Sequence, residues 1–153
     1  MTQENSNQLL LKDLCVRLPY HIRVKVWLKD GTTEEGTLDL EHNYGDVLRD
    51  AFYYNKIVKI KPYLRSMSSM TEEEAKELSI LYDIKDILSI KITDEYIDFE
   101  VDDGFGSIET RTIWYDEIIS SIETFDWLNK NNFDYRGLIP MGLAIDATNL
   151  NIY

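Results

Sequence analysis

Apolar residues recur along this chain with two periods, and the switches between them mark its elements. Leu10, Leu14 and Leu18 fall on one helical face, with Leu11 and Cys15 beside them. That spacing predicts a short helix over residues 8–18, capped by Ser6 or Asn7 and stopped by Pro19, after a frayed start over 1–7. Ile22, Val24, Val26 and Leu28 then alternate with polar residues as in a half-buried strand. Asp30-Gly31 is a turn signal, and residues 33–40 return with Gly36, Leu38 and Leu40 on one face, so a hairpin is expected. Residues 42–46 read as a loop, and 47–54 suit either a strand or a short helix. Residues 57–61 read as a strand that runs out at Pro62, which holds Lys61 extended.

The second part opens on Thr71 followed by Glu74, the pattern of a capping box. The Thr oxygen accepts the amide three residues on, and the Glu reaches back. Glu72, Glu73 and Glu74 in the first turn also suit the helix dipole. The helix runs over 71–81 with a weak stripe of Ala75, Leu78 and Leu81 or Tyr82. Leu88, Ile90 and Ile92, then Ile97, Phe99 and Val101, alternate on either side of Asp94-Glu95. With the glycine-rich turn 102–106 and a third strand over 107–115, they predict a three-strand antiparallel meander. Asp116 can cap a helix bearing Ile118, Ile119, Ile122, Phe125 and Leu128, closed by Asn131 or Asn132 in a left-handed C-cap. An aromatic-rich turn over 133–139 and a short strand at 143–145 end the chain.

The fold class expected is therefore α+β: an N-terminal helix, a bent antiparallel sheet, a linking helix, a three-strand meander, a C-terminal helix and a compact tail. Residues 1–66 form a small β-rich lobe and 67–153 an acidic α+β lobe of one compact whole. The expected joints are 64–69 and 83–86.

Two blocks carry a resemblance. Lys61-Pro62-Tyr63-Leu64-Arg65-Ser66-Met67-Ser68-Ser69-Met70-Thr71-Glu72-Glu73-Glu74 and Trp127-Leu128-Asn129 through Phe133-Asp134-Tyr135-Arg136-Gly137-Leu138-Ile139 resemble a family of proteins encoded by bacteriophages and prophages of gut anaerobes. Ser66 stands where that family has proline. The resemblance implies an origin, and the family carries no activity to transfer. Residues 8–51 also resemble the first motif of Sm-like small barrels in their helix, Asp30-Gly31 turn, Gly36-x-Leu38 and Val47-Leu48. The barrel's second motif is replaced by Lys59-Ile60-Lys61-Pro62.

Composition narrows the function classes. The 153 residues are 44% hydrophobic and 29% charged, which excludes a disordered chain. No apolar run reaches the roughly 20 residues of a membrane span, and the first residues lack a signal-peptide pattern. The single Cys15 excludes an internal disulfide and reads as a buried structural thiol. A bacterial host's cytoplasm is the expected compartment. Net charge is −12, and it is divided: residues 1–66 hold 10 Lys/Arg against 9 Asp/Glu, and 67–153 hold 6 against 19. Such a chain repels bulk duplex nucleic acid and anionic membranes.

Neither His21 nor His42 can be paired with a nucleophile, and Gly-x-Ser-x-Gly is absent, so no catalytic residue is nominated and the reading leans away from an enzyme. No metal or cofactor is expected. The acids Asp39, Glu41 and Asp46 around His42 read as solvated, and Asp102-Asp103-Gly104 lacks the ladder of a calcium loop. Tyrosines near cations are the remaining signal. Tyr44, Tyr63, Arg65, Tyr135 and Arg136 are candidate ligand or partner contacts, because Tyr and Arg together serve protein hot spots and base stacking. Against this, Tyr63 and Leu64 can pack with Arg65 tied to acids, and Arg136 can tie the C-terminal turn to the body. The expected function is a non-enzymatic accessory protein that binds a host or phage protein. The alternative is a nucleotide or oligonucleotide binder, such as a sponge for a signalling nucleotide, that uses the less acidic first part.

Overall fold

The computed structural model describes residues 2–38 and 54–152. The fold is α+β, and the chain divides into two compact units, Met1–Arg65 with Arg136–Tyr153, and Ser66–Tyr135. Residues 39–53, which include Leu40, Tyr44, the loop and most of the ambiguous segment, lie outside the described residues.

In the first unit, helix α1 (Gln3–Arg17) is longer than the apolar spacing predicts. Thr2 caps it by accepting the Asn5 amide, so the polar start is helical rather than frayed. The buried face is also different: it carries Asp13, Leu14 and Arg17, while Leu11 and Cys15 are exposed. Cys15 follows Leu14 by one residue, about 100° around the helix, and so it turns away from the core that Leu14 enters. A 3-10 turn, Leu18–Tyr20, takes up Pro19 before His21 turns left-handed.

Strands β1 (Ile22–Leu28) and β2 (Thr33–Leu38) form the expected hairpin, with Ile22 opposite Leu38 and Trp27 opposite Thr33. Asp30 closes it by accepting the Thr32 amide and hydroxyl, which holds its carboxyl below the usual range. Strand β3 (Ile57–Leu64) pairs with the other edge of β1 and, contrary to expectation, continues through Pro62, which stands opposite Val24. Proline is tolerated at an edge, and only at Tyr63 does β3 gain its second neighbour, the parallel two-residue β7 (Ile145–Asp146). The sheet order is β2-β1-β3-β7. Ile22, Val24 and Val26 are fully buried and pack with Leu14, Leu64 and Leu138; each such side chain contributes roughly 1.5–3 kcal/mol. Because β7 belongs to this sheet and Leu138 and Ala144 to this core, residues 136–153 group with the first unit rather than with the acidic second part.

In the second unit, a 3-10 turn (Met67–Ser69) leads into α2 (Glu72–Leu81). Both halves of the capping box form: the Glu74 amide donates to Thr71 Oγ1 at 3.2 Å, and the Thr71 amide donates to Glu74 Oε2 at 2.8 Å. Strands β4 (Ile87–Ile92), β5 (Tyr96–Asp102) and β6 (Ile108–Trp114) make the meander. A bulge between Ile87 and Ser89 shifts the alternation in β4, so Leu88 is exposed where the spacing would bury it.

Helix α3 (Ile122–Lys130) starts at Ser121, not Asp116. Ser121 Oγ accepts the Thr124 amide at 3.1 Å, and Ile118 is buried ahead of the helix, with its carbonyl accepting the Tyr82 hydroxyl. The helix closes on left-handed Asn132 (φ 57°). The Phe133 amide reaches Leu128 O and the Asn132 amide reaches Asn129 O, a Schellman motif whose Leu128 and Phe133 are both fully buried.

Candidate binding surface

Four of the five candidate aromatic and arginine residues lie among the described residues. Tyr63 is buried in β3, and its hydroxyl donates to Glu35 Oε1 at 2.7 Å across the sheet. Burial and the Glu35 charge push its phenol up to about 12. Arg65 is half-buried just past β3. Tyr135 donates to Asn129 Oδ1 at 3.0 Å and packs edge-on against Phe125. Arg136 Nε lies 3.3 Å from the buried Asp13 carboxylate of α1. Arg136 therefore ties the C-terminal segment to α1. Tyr44 is outside the described residues.

The Asp102–Gly106 turn also has its carboxylates in use. Asp102 accepts the Gly104 amide, and Asp103 accepts the Phe105 and Ser107 amides around left-handed Gly104 and Gly106. Among the described residues, no group of three or more His, Cys, Asp or Glu is placed to hold a metal, and no helix is long and apolar enough to cross a membrane.

Two surfaces of the first unit that the sequence reading did not single out stand out instead. The first is the sheet face opposite the core. The register places Arg23, Lys25 and Trp27 of β1 beside Thr37, Glu35 and Thr33 of β2, and sets Lys61 and Lys59 of β3 opposite Lys25 and Trp27. Four cations thus share one sheet face with the Trp27 indole. Lys59 Nζ sits 5.0 Å and Lys25 Nζ 6.0 Å from the Trp27 ring centroid. Arg23 and Lys25 share the one carboxylate, Glu35, at 3.4 Å each. None of the ion pairs among the described residues takes in Lys59 or Lys61. Burial, and then the charge of Lys59, hold the Lys61 ammonium below its usual range.

The second surface is a groove of about 610 Å³ between α1 and the outer edge of β3. One flank of α1 (Leu10, Leu11 and Leu14) faces Ile57–Lys61, with Leu143 at the end. Leu11 is 62% exposed and Val58 61% exposed. Val58 stands out because the β1–β3 register slips beside it, pairing Trp27 with Lys59 and Leu28 with Ile57. Among the described residues, no strand pairs with this edge of β3 before Tyr63 meets β7. The signal for the cationic face was present in Arg23-Val24-Lys25-Val26-Trp27, whose outward positions are all cationic or aromatic. The groove left no such signal, since it depends on which edge of β3 stays open.

Comparison with known protein families, with curated proteins and with solved structures finds no match.

Proposed function

We propose that this is a non-enzymatic, phage-type accessory protein that works in the cytoplasm of a bacterial host by binding another protein. The observation that carries this reading is the edge of β3, unpaired over 57–61 among the described residues and lying along an apolar groove, with Leu11 and Val58 exposed at its lip. An unpaired strand edge offers amide and carbonyl groups in a row, and an extended segment of a partner satisfies them by adding a strand. The two blocks that resemble phage and prophage proteins support the assignment of origin. Affinity capture from a bacterial host lysate tests the reading by comparing the wild-type chain with Leu11→Glu/Val58→Glu. Both positions are exposed, so the fold should tolerate them within about 0.5 kcal/mol. A protein retained by the wild type and lost by the variant is expected, and identical capture by both would overturn the proposed surface.

A second reading has its own observation. Trp27 flanked by Lys25 and Lys59, with Lys61 and Arg23 further along the same face, suits stacking of a base with cations beside its phosphates. On this reading the nucleotide binds the sheet face of the less acidic first part. A nucleotide or short oligonucleotide should then quench Trp27 fluorescence, and Lys59→Glu should abolish the quenching.

A further inference from the structure

We propose that the open edge of β3 takes up an extended segment in which apolar residues alternate with acidic ones. The inference rests on the protein-binding reading above and supplies the chemistry of the partner. A strand added to β3 lies about 4.8 Å from it, and its side chains point alternately to the two faces of the sheet. On the core side they enter the groove, where they meet Leu10, Leu11 and Leu14 of α1 and Leu143. On the other side they stand beside Lys59 and Lys61, which share the face of Trp27 and have no carboxylate partner among the described residues.

The two sides therefore ask for different residues, and a strand is the element that supplies them at alternate positions. An apolar side chain in the groove removes Leu11 and Val58 from water. Carboxylates at alternate positions on the other face neutralise the two like charges of Lys59 and Lys61, set two residues apart on one strand. Lysines on an edge are also a common device against unwanted pairing. Here they act as a filter: a neutral or basic strand leaves the cations uncompensated or repels them, and an acidic one is drawn in. The Ile57–Lys61 edge sets the length, since five residues span about 17 Å before β7 takes over at Tyr63.

The test uses the full chain and fluorescence anisotropy with four labelled probes: a heptapeptide alternating Val and Glu, the same pattern with Lys for Glu, a scrambled peptide of the Val/Glu composition, and oligothymidylate. The alternating acidic peptide should bind, with the scrambled and basic peptides weaker by roughly tenfold or more. Lys59→Glu/Lys61→Glu should lose that binding and gain the basic peptide. Amide exchange should slow over residues 57–61 on binding, which charge attraction alone would not produce. Should the double variant fail to fold, a fall in wild-type affinity with added salt for the acidic peptide alone serves instead. Equal binding of the acidic and basic peptides, with the same exchange protection, would overturn the partner chemistry while the strand-addition reading stands. Binding of no peptide would overturn both. Oligothymidylate bound at Lys59 and Lys61 in the absence of peptide binding would overturn the proposal in favour of the nucleotide reading.

Discussion

Arg17 is fully buried, and its charge is answered at 2.8 Å by Asp13, one helical turn earlier and equally buried. Arg136, a quarter exposed, adds a second cation to the same carboxylate. Such a cluster stands inside a small core only if its members stay together, because a charge left alone there keeps its desolvation cost and loses its partner. Arg17→Met should therefore cost roughly 3–5 kcal/mol in urea denaturation, and Asp13→Leu added to it should restore a large part of that. A loss below about 1 kcal/mol for the single variant would show that water reaches the pair. Tyr63 makes a second prediction of a different kind. Its phenol is raised from 10.0 to about 12 by burial and by the Glu35 carboxylate. The folded chain then holds a proton that the unfolded chain has released. The stability Tyr63 supplies is present in full below pH 10 and is lost as pH rises to about 12. Thermal melts across that window should fall less steeply for Tyr63→Phe than for the wild type, and parallel curves would show that the phenol titrates alike in both states.

At the scale of elements, the α2 cap rests on both hydrogen bonds of the Thr71/Glu74 pair. Thr71→Ala removes the side-chain acceptor and should cost about 1 kcal/mol. A denaturation midpoint equal to the wild type would mean that α2 begins elsewhere. This cap was legible because its chemistry is local: four residues contain the whole device. The same holds for the Asp30-Gly31 hairpin, for β5 with Ile97, Phe99 and Val101 buried, and for left-handed Asn132. Elements whose bounds depend on tertiary partners were misjudged. Leu88 keeps the alternation of β4 in sequence and loses it to a bulge beside β5. Asp116 could cap a helix as well as Ser121, but the burial of Ile118 in the core takes the intervening residues out of the helix. β3 passes Pro62 because β1 holds it there, which no local rule about proline contains. The buried face of α1 was misplaced for a related reason. Leu11 and Cys15 are more apolar than Asp13 and Arg17, yet the i, i+4 ion pair lets the charged pair enter the core. Of the site candidates, Tyr63 and Arg136 were readable as reactive residue types, but the groups that engage them, Glu35 and Asp13, are 28 and 123 positions away.

For the whole molecule, the division of charge follows the two units. The first holds 11 Lys/Arg against 10 Asp/Glu and the second 5 against 18, so +1 and −13. Four of the first unit's cations lie on one sheet face, which raises the question of whether that face grips duplex DNA. Counting the charges decides it. Arg23 and Lys25 share the single charge of Glu35, so with Lys59 and Lys61 a net of three positive charges remains to neutralise phosphate. Each phosphate neutralised contributes about −0.9 to the slope of log affinity against log salt concentration, so three contacts give a slope of about −3 and only weak binding. The thirteen net negative charges of the second unit oppose even that approach. We therefore expect no retardation of a random-sequence duplex near 0.15 M salt. Any binding that emerges at low salt should show a slope no steeper than about −3 and should vanish in Lys59→Glu/Lys61→Glu. A slope of about −6 or steeper would require phosphate contacts well beyond the three charges of this face. It would make the sheet face part of a longer basic track, and nucleic acid, rather than an acidic strand, its natural occupant.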